Sequence, residues 1–254
     1  MDIKTYIAQA DSIVSDHFRN YIKIGQNVGV LLSGGIDSSL ISSYVFSFFP
    51  QAHIFSMGTD LTKDRPFVEI MSKHLGRPYE WIFLSEQQIK EVQSEVGALL
   101  EQVGVERSSM QMALATGYFL IFKRASELGT KTIVTGQGPD ILFAGYHMYK
   151  KLDGSLLNAQ IKKDLVLLET DKKRDGAMAS HFGIQLLNPY LETDFVDFSL
   201  TVPVEYKINN GIEKVFMREW GRGRGLLEEI VTRPKKAFQY STGLQKKIKV
   251  LSAK

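Results

Sequence analysis

Asn27-Val28-Gly29-Val30-Leu31-Leu32 runs directly into Ser33-Gly34-Gly35-Ile36-Asp37-Ser38-Ser39. The first six residues form a short, mostly apolar run, and the glycine pair stops it. That pattern predicts a buried strand entering a tight turn, with a helix over 37–48 closed by Pro50. Two glycines let the backbone bend sharply and come close to a ligand. Backbone N–H groups at the start of the next helix, with the helix dipole behind them, attract a phosphate group. The hydroxyls of Ser33, Ser38 and Ser39 add donors. Asp37 would repel a phosphate unless a cation lies between them. Mg²⁺, which favours one or two carboxylates plus phosphate oxygens, supplies that cation. The stretch is neither G-x-x-x-x-G-K-[ST], since no Lys follows at the required place, nor G-x-G-x-x-G. Local chemistry alone makes it an anion site or a plain helix cap.

On its N-terminal side, Ile3, Tyr6, Ile7, Ala10, Ile13, Val14 and Phe18 recur at helical spacing. On its C-terminal side, strand-like runs at 52–57, 80–84 and 132–135 alternate with helical patterns at 65–75, 86–103 and 110–128. The last run ends in Gly136-Gln137-Gly138. This alternation predicts an α/β fold, a Rossmann-like parallel sheet flanked by helices. After about residue 147 the strand-like runs thin out. Helical patterns at 152–168, 191–200 and 215–220 predict a helical C-terminal lobe over 148–254, completing the site carried by a core over 1–147. No linker rich in Pro or Ser separates the two. Gly221 to Gly225 reads as a mobile loop and Lys246 to Lys254 as a solvated basic end.

Composition removes several chemistries. The 254 residues contain no cysteine, which excludes disulfides, thiolate metal sites and cysteine nucleophiles. Lys plus Arg is 31 and Asp plus Glu is 28, and this small excess gives no reason to expect a nucleic-acid partner. The N-terminus lacks the apolar core of a signal peptide. The longest apolar stretch, 112–122, falls short of the roughly 20 residues of a bilayer span. These features place the protein in the cytoplasm, away from membranes. The histidines, His17, His53, His74, His147 and His181, show no ligand spacing. No G-x-S-x-G elbow is present for a serine triad.

Ser33-Gly34-Gly35-Ile36-Asp37-Ser38-Ser39 resembles the pyrophosphate loop of the N-type ATP pyrophosphatases, or PP-loop enzymes. In that superfamily the loop grips the β- and γ-phosphates of ATP while the α-phosphate is attacked. Gly136-Gln137-Gly138-Pro139-Asp140-Ile141-Leu142-Phe143-Ala144-Gly145-Tyr146 resembles the G-E-G-S-D-E-x-F-G-G-Y segment of asparagine synthetases. Pro189-Tyr190-Leu191-Glu192 stands where they have P-F-L-D, and Arg233-Pro234-Lys235-Lys236-Ala237-Phe238 matches their R-x-K-x-x-F. All four motifs occur in family order. The resemblance spans about residues 25–245 as one continuous domain of the adenine nucleotide alpha-hydrolase-like type.

The resemblance implies roles residue by residue. Leu31 and Met57 flank adenine, and the backbone of Thr135 and Gly136 holds the nucleoside. Ser33, Gly34, Gly35, Asp37 and Ser38 hold pyrophosphate. Asp140 joins Asp37 on Mg²⁺. Lys235 neutralises charge building at the α-phosphate, and Tyr146 sits at the reacting carboxylate. The implied activity is AMP-forming amide synthesis from ATP, a small-molecule carboxylate and an amine.

The pattern also fails in places. Glutamine-using asparagine synthetases begin with a glutaminase domain whose nucleophile is an N-terminal cysteine. With no such domain, the amine is free ammonia, another amine, or ammonia from a separate glutaminase subunit. The family's G-E-G glutamate is Gln137, which cannot take a proton. Its glutamate–x–arginine is Gln185-Leu186-Leu187, and the arginine expected to hold the aspartate α-carboxylate aligns with Ala113. His181 precedes this altered segment and is a candidate contributor. The ATP half is therefore kept and the acceptor half altered, so the acid need not be aspartate. Two other readings compete. One is an ATP-binding regulatory module with impaired catalysis. The other is a tRNA-modifying ATPase, against which stand the missing cysteines and the lack of a basic, aromatic-interleaved strip.

Overall fold

The apolar run after Asn27 becomes strand β1 (Val28–Leu31). The computed structural model describes residues 1–24, 27–152 and 154–252. Helix α1 (Ile3–Tyr21) precedes β1 and begins where the Asp2 side chain accepts the Thr5 N–H at 2.9 Å. The chain then moves outward through α2 (Ile36–Phe48), β2 (His53–Gly58), α3 (Arg65–Leu75) and β3 (Tyr79–Phe83). It returns through α4 (Glu86–Gln102), opened by a capping box between Ser85 and Gln88, and α5 (Ser109–Glu127), capped by Ser108. Strand β4 (Thr132–Val134) pairs with the free side of β1. After the short α6 (Pro139–Leu142) and the long α7 (Gly154–His181), β5 (Gln185–Leu187) pairs with β4.

The sheet order is β3-β2-β1-β4-β5 and every pairing is parallel. Side chains alternate between its faces. Val28, Val30 and Ile54 enter one core with α1 and α2, whereas Phe55, Met57 and Ile133 enter another with α4 and α5. This is the period-two division of a sheet covered on both sides. The α/β reading holds, with one strand more than the sequence shows. β5 comes from beyond residue 147, in the stretch read as helical, because three residues carry no readable period.

The remaining chain forms α8 (Thr193–Thr201), α9 (Val204–Lys207), a hairpin of β6 (Ile208–Asn209) and β7 (Ile212–Glu213), α10 (Val215–Gly223), α11 (Glu228–Val231), α12 (Phe238–Ser241) and α13 (Leu244–Ser252). Two expectations are corrected here. Gly221 to Gly223 is the last turn of α10 and no mobile loop. The Leu226 N–H closes back on the Gly221 carbonyl at 2.9 Å. The basic C-terminal stretch is the amphipathic helix α13, with Leu244 and Ile248 buried in the core that contains α5. Lys247 of that helix reaches Glu86 at 2.9 Å and Asp60 at 3.1 Å. Residues 253 and 254 lie outside the described residues.

Lys207, at the end of α9, is fully buried, and its Nζ meets no hydrogen-bond partner among the described residues. Burial pushes its pKa down to about 8. The unfolded chain keeps this proton to about 10.4. Between those values the unfolded state binds more protons, so stability rises with pH across that window. Lys207→Met is expected to stabilise the fold by about 3 kcal/mol at pH 7, with the gain shrinking toward pH 10. Urea unfolding at both pH values measures it, and a gain independent of pH contradicts the account.

Candidate active site

Chain order reverses between β1 and β4, so the loops leaving their carboxyl ends diverge and open a crevice. A cavity of about 170 Å³ lies there. Of the residues given a role at the site by the resemblance, all but Gly34 line it. Leu31, Ser33, Gly35, Asp37 and Ser38 come from the β1 loop and the start of α2. Met57 comes from β2. Thr135, Gly136, Gln137 and Asp140 follow β4, and Tyr146 and Lys235 complete the wall. Gly34 lies behind the loop with φ +69°, and a Cβ on it would stand 2.5 Å from the Phe67 Cβ.

Serine hydroxyls shape the β1 loop. Ser38 Oγ accepts the Ser33 N–H at 3.1 Å and donates to the Gly35 carbonyl at 3.2 Å, while the Gly35 N–H donates to Ser33 Oγ at 3.3 Å. No side chain caps α2, so its first N–H groups stay available to an anion. The two loops meet backbone to backbone. A Cβ on Gly136 would lie 2.9 Å from the Asp37 carbonyl oxygen and the Ser38 nitrogen.

Charge is concentrated at the mouth of this loop. Lys214 Nζ donates to Asp37 Oδ2 and lies 2.5 Å from Asp140 Oδ1. Lys235 Nζ lies 3.0 Å from Asp140 Oδ2 and 4.0 Å from the centre of the Tyr146 ring. Burial would raise both carboxylates. Asp140, flanked by two lysines, is nevertheless held below its ordinary value, whereas Asp37 is pushed up despite Lys214. Burial works against a charged Lys214, but Asp140 and Asp37 outweigh it and hold its pKa above the ordinary value. Burial pulls Lys235 down, with Asp140 offsetting part of the effect. Burial, followed by the Asp140 charge, pushes the Tyr146 phenol up, so it stays a hydrogen-bond donor.

Helix α7 supplies another side of the cavity through Leu168 and Asp171. Gln137 Nε2 donates to Asp171 Oδ2 at 2.7 Å, and the buried Arg174 donates to Asp171 Oδ1 at 2.6 Å. The other altered positions do not reach the cavity. Ala113 is fully buried in α5, and Gln185-Leu186-Leu187 is strand β5 at the sheet edge. His181 ends α7, pairs with Glu95 at 3.1 Å and stacks on Phe119, so it makes no contribution to the acceptor side.

The asparagine synthase family profile matches residues 14–174 and 153–252. The chain belongs to the asparagine synthase family. It is 29% identical to the glutamine-hydrolysing asparagine synthetase of Gallus gallus over 251 residues, covering 93% of this chain and 44% of that one. It is 25% identical to asparagine synthetase B of Escherichia coli strain K12 over 224 residues, covering 81% and 40%. The chain thus spans less than half the length of these relatives. Among solved structures, NMN synthetase from Francisella tularensis matches all of this chain and 87% of its own, at a TM-score of 0.49 and 13% identity.

In this asparagine synthase family chain the sequence reading gave no role to three residues that the fold brings to the site. Lys214 is one. It precedes an amphipathic helix, and nothing nearby in sequence marks it as buried. Asp171 is another, hidden in a mostly polar stretch of α7. Arg233 is the third. It pairs with Asp64, lies 3.9 Å from the centre of the Phe67 ring and donates to the Ser33 carbonyl at 2.9 Å. The arginine of R-x-K-x-x-F therefore props the β1 loop, while the lysine two residues on faces the cavity.

Proposed function

We propose that this chain carries the synthetase chemistry of an ATP-dependent amide-forming ligase. A substrate carboxylate oxygen bonds to the α-phosphorus of ATP as the bond to pyrophosphate breaks. An amine nitrogen then bonds to the acyl carbon, the bond to AMP breaks, and the nitrogen loses a proton. The observation that carries this reading is the uncapped start of α2 facing Lys214 and Lys235 across Asp37 and Asp140. Backbone N–H groups of the Ser33–Ser38 loop, with the serine hydroxyls, hold the β- and γ-phosphates. Lys235 lies where charge develops on the α-phosphate. Leu31 and Met57 enclose the adenine, and Thr135 and Gly136 bear on the nucleoside. Tyr146 donates to the reacting carboxylate.

The site also fits Mg²⁺. Asp37 and Asp140 supply two carboxylates, and Asp37 Oδ1 is buried with no hydrogen-bond donor among the described residues. When bound, the ion would neutralise charge between these carboxylates and the phosphates. These residues contain no cysteine nucleophile of their own, and the amine is free ammonia, another amine, or ammonia released by a glutaminase. Among the described residues no helix is long and apolar enough to cross a membrane, and a cytoplasmic setting is part of the proposal.

Gln137 favours one other reading, an ATP-binding module without turnover. Incubation with MgATP, ammonium and a panel of carboxylic and amino acids separates the two. The ligase reading expects AMP and pyrophosphate in equal amounts, dependent on the acid. Tight ATP binding with neither product supports the module, and no ATP binding sinks both.

A further inference from the structure

We propose that Arg218 is a positioning residue whose guanidinium clamps the two chain segments carrying Lys214 and Lys235, and so sets where both ammonium groups stand at the cavity mouth. The clamp stands on geometry alone, while its consequence for turnover rests on the ligase reading. Arg218 lies on α10 and is buried. Although it lines the cavity, it spends its donors on main-chain carbonyls. Nε donates to the Glu213 carbonyl at 2.9 Å, Nη1 to the Val231 carbonyl, and Nη2 to the Arg233 carbonyl at 3.5 Å. Glu213 is the residue before Lys214, and Arg233 stands two before Lys235.

Lys214 needs such a clamp. It begins α10 in the left-handed region, with φ 57° and ψ 35°. A residue with a Cβ rarely adopts that conformation, which persists where its surroundings over-determine it. Arg218 holds the peptide units on both sides of Lys214. Its N–H donates to the Lys214 carbonyl at 3.0 Å, while its side chain takes the carbonyl one residue earlier. The lysine stem then runs past Gly145, where a Cβ would stand 2.2 Å from Lys214 Cε, and ends between Asp37 and Asp140.

Lys235 has no helix or strand of its own, since residues 233–237 form neither. The segment is pinned at its start. Arg218 takes the Val231 and Arg233 carbonyls, and the Arg233 side chain donates to the Ser33 carbonyl and pairs with Asp64. Two residues on, Lys235 reaches Asp140 at 3.0 Å. A single buried fork thus joins the two lysines and, through Arg233, the β1 loop. A lysine in its place would offer a compact point charge, which cannot span three carbonyls as a planar guanidinium does.

Two double-variant comparisons test this. Thermal midpoints need no turnover. Lys214→Met is expected to lower the midpoint by about 10 °C in the wild-type background. In Arg218→Gln it should cost about half of that or less, because Lys214 is no longer held against the carboxylates. Pyrophosphate release should fall about 10–100-fold in Arg218→Gln, as for a displaced reacting group. With Lys235 already replaced by alanine, the same substitution should cost less than about threefold. Affinity for a non-hydrolysable ATP analogue should stay close to wild type, which also shows that the variant is folded. If Arg218→Gln does not fold, Arg218→Lys carries both comparisons. Midpoint losses that simply add overturn the hold on Lys214, and rate losses that multiply overturn the hold on Lys235. A large loss of analogue affinity would make Arg218 a ligand contact and overturn the clamp. If the wild-type protein releases no pyrophosphate, the ligase reading falls, and the midpoints alone decide the clamp.

Discussion

Lys214→Met is expected to lower the thermal unfolding midpoint by about 10 °C at pH 7 and to abolish pyrophosphate release. Lys214 is 2% exposed and lies between two partly buried carboxylates. Methionine keeps the volume but removes the charge, so that among the described residues Asp37 is left without an ion-pair partner and Asp140 keeps Lys235. Breaking a largely buried pair from one side costs about 3–5 kcal/mol, because the remaining charge is left with little water to replace the lost partner. The pH dependence has a definite sign. Burial already raises Asp37, and Lys214 is the main force pulling it back. Without that lysine, Asp37 in the folded state rises further above its unfolded value. The folded variant therefore takes up a proton more readily, and the deficit shrinks as pH falls toward 5. Calorimetric scans at pH 5 and pH 8 measure this. An unchanged midpoint, or a deficit that grows on acidification, refutes the arrangement.

Lys235→Ala should act on chemistry and leave stability nearly intact. Pyrophosphate release is expected to fall about 10²–10³-fold, the usual loss when a positioned group that stabilises transition-state charge is removed. ATP affinity should change far less, because the β1 loop and the start of α2 remain. Lys235 is 16% exposed at the cavity wall, and burial already lowers its pKa, so its removal leaves Asp140 paired with Lys214. Lys235→Arg should restore only part of the rate, since a planar fork replaces a compact charge. Product formation and ATP binding, measured on the same preparations, decide the matter. Wild-type pyrophosphate release from Lys235→Ala would remove Lys235 from the mechanism.

The legible parts of this protein share one property: they depend on neighbours in sequence. The run ending at Leu32, the turn at Gly34 and Gly35, and the alternation of strands and helices to β4 needed only windows of a few residues. β5 stayed invisible because Gln185-Leu186-Leu187 is too short to show a period, and its strand character comes from pairing with Thr132 to Val134. α13 was misread because its lysines dominate the composition, although Leu244 and Ile248 face α5. The site residues of the β1 and β4 loops were readable one at a time, since they sit at a glycine turn or in a recognisable motif. Their charge partners were not.

Those partners mark the boundary. The polypeptide order alone specified a parallel α/β sheet, a glycine turn feeding a helix, and a set of motifs in family order. Folding decided that Lys214 pairs with Asp37 across 177 residues, that Arg233 props Ser33 across 200, and that Asp171 meets Gln137 across 34. Such pairs have no local signature, because chain closure over long loops costs only slowly growing entropy and leaves no trace in composition or periodicity. The electrostatics of the crevice, and hence which acid it can hold, arise only once distant helices are packed against the sheet.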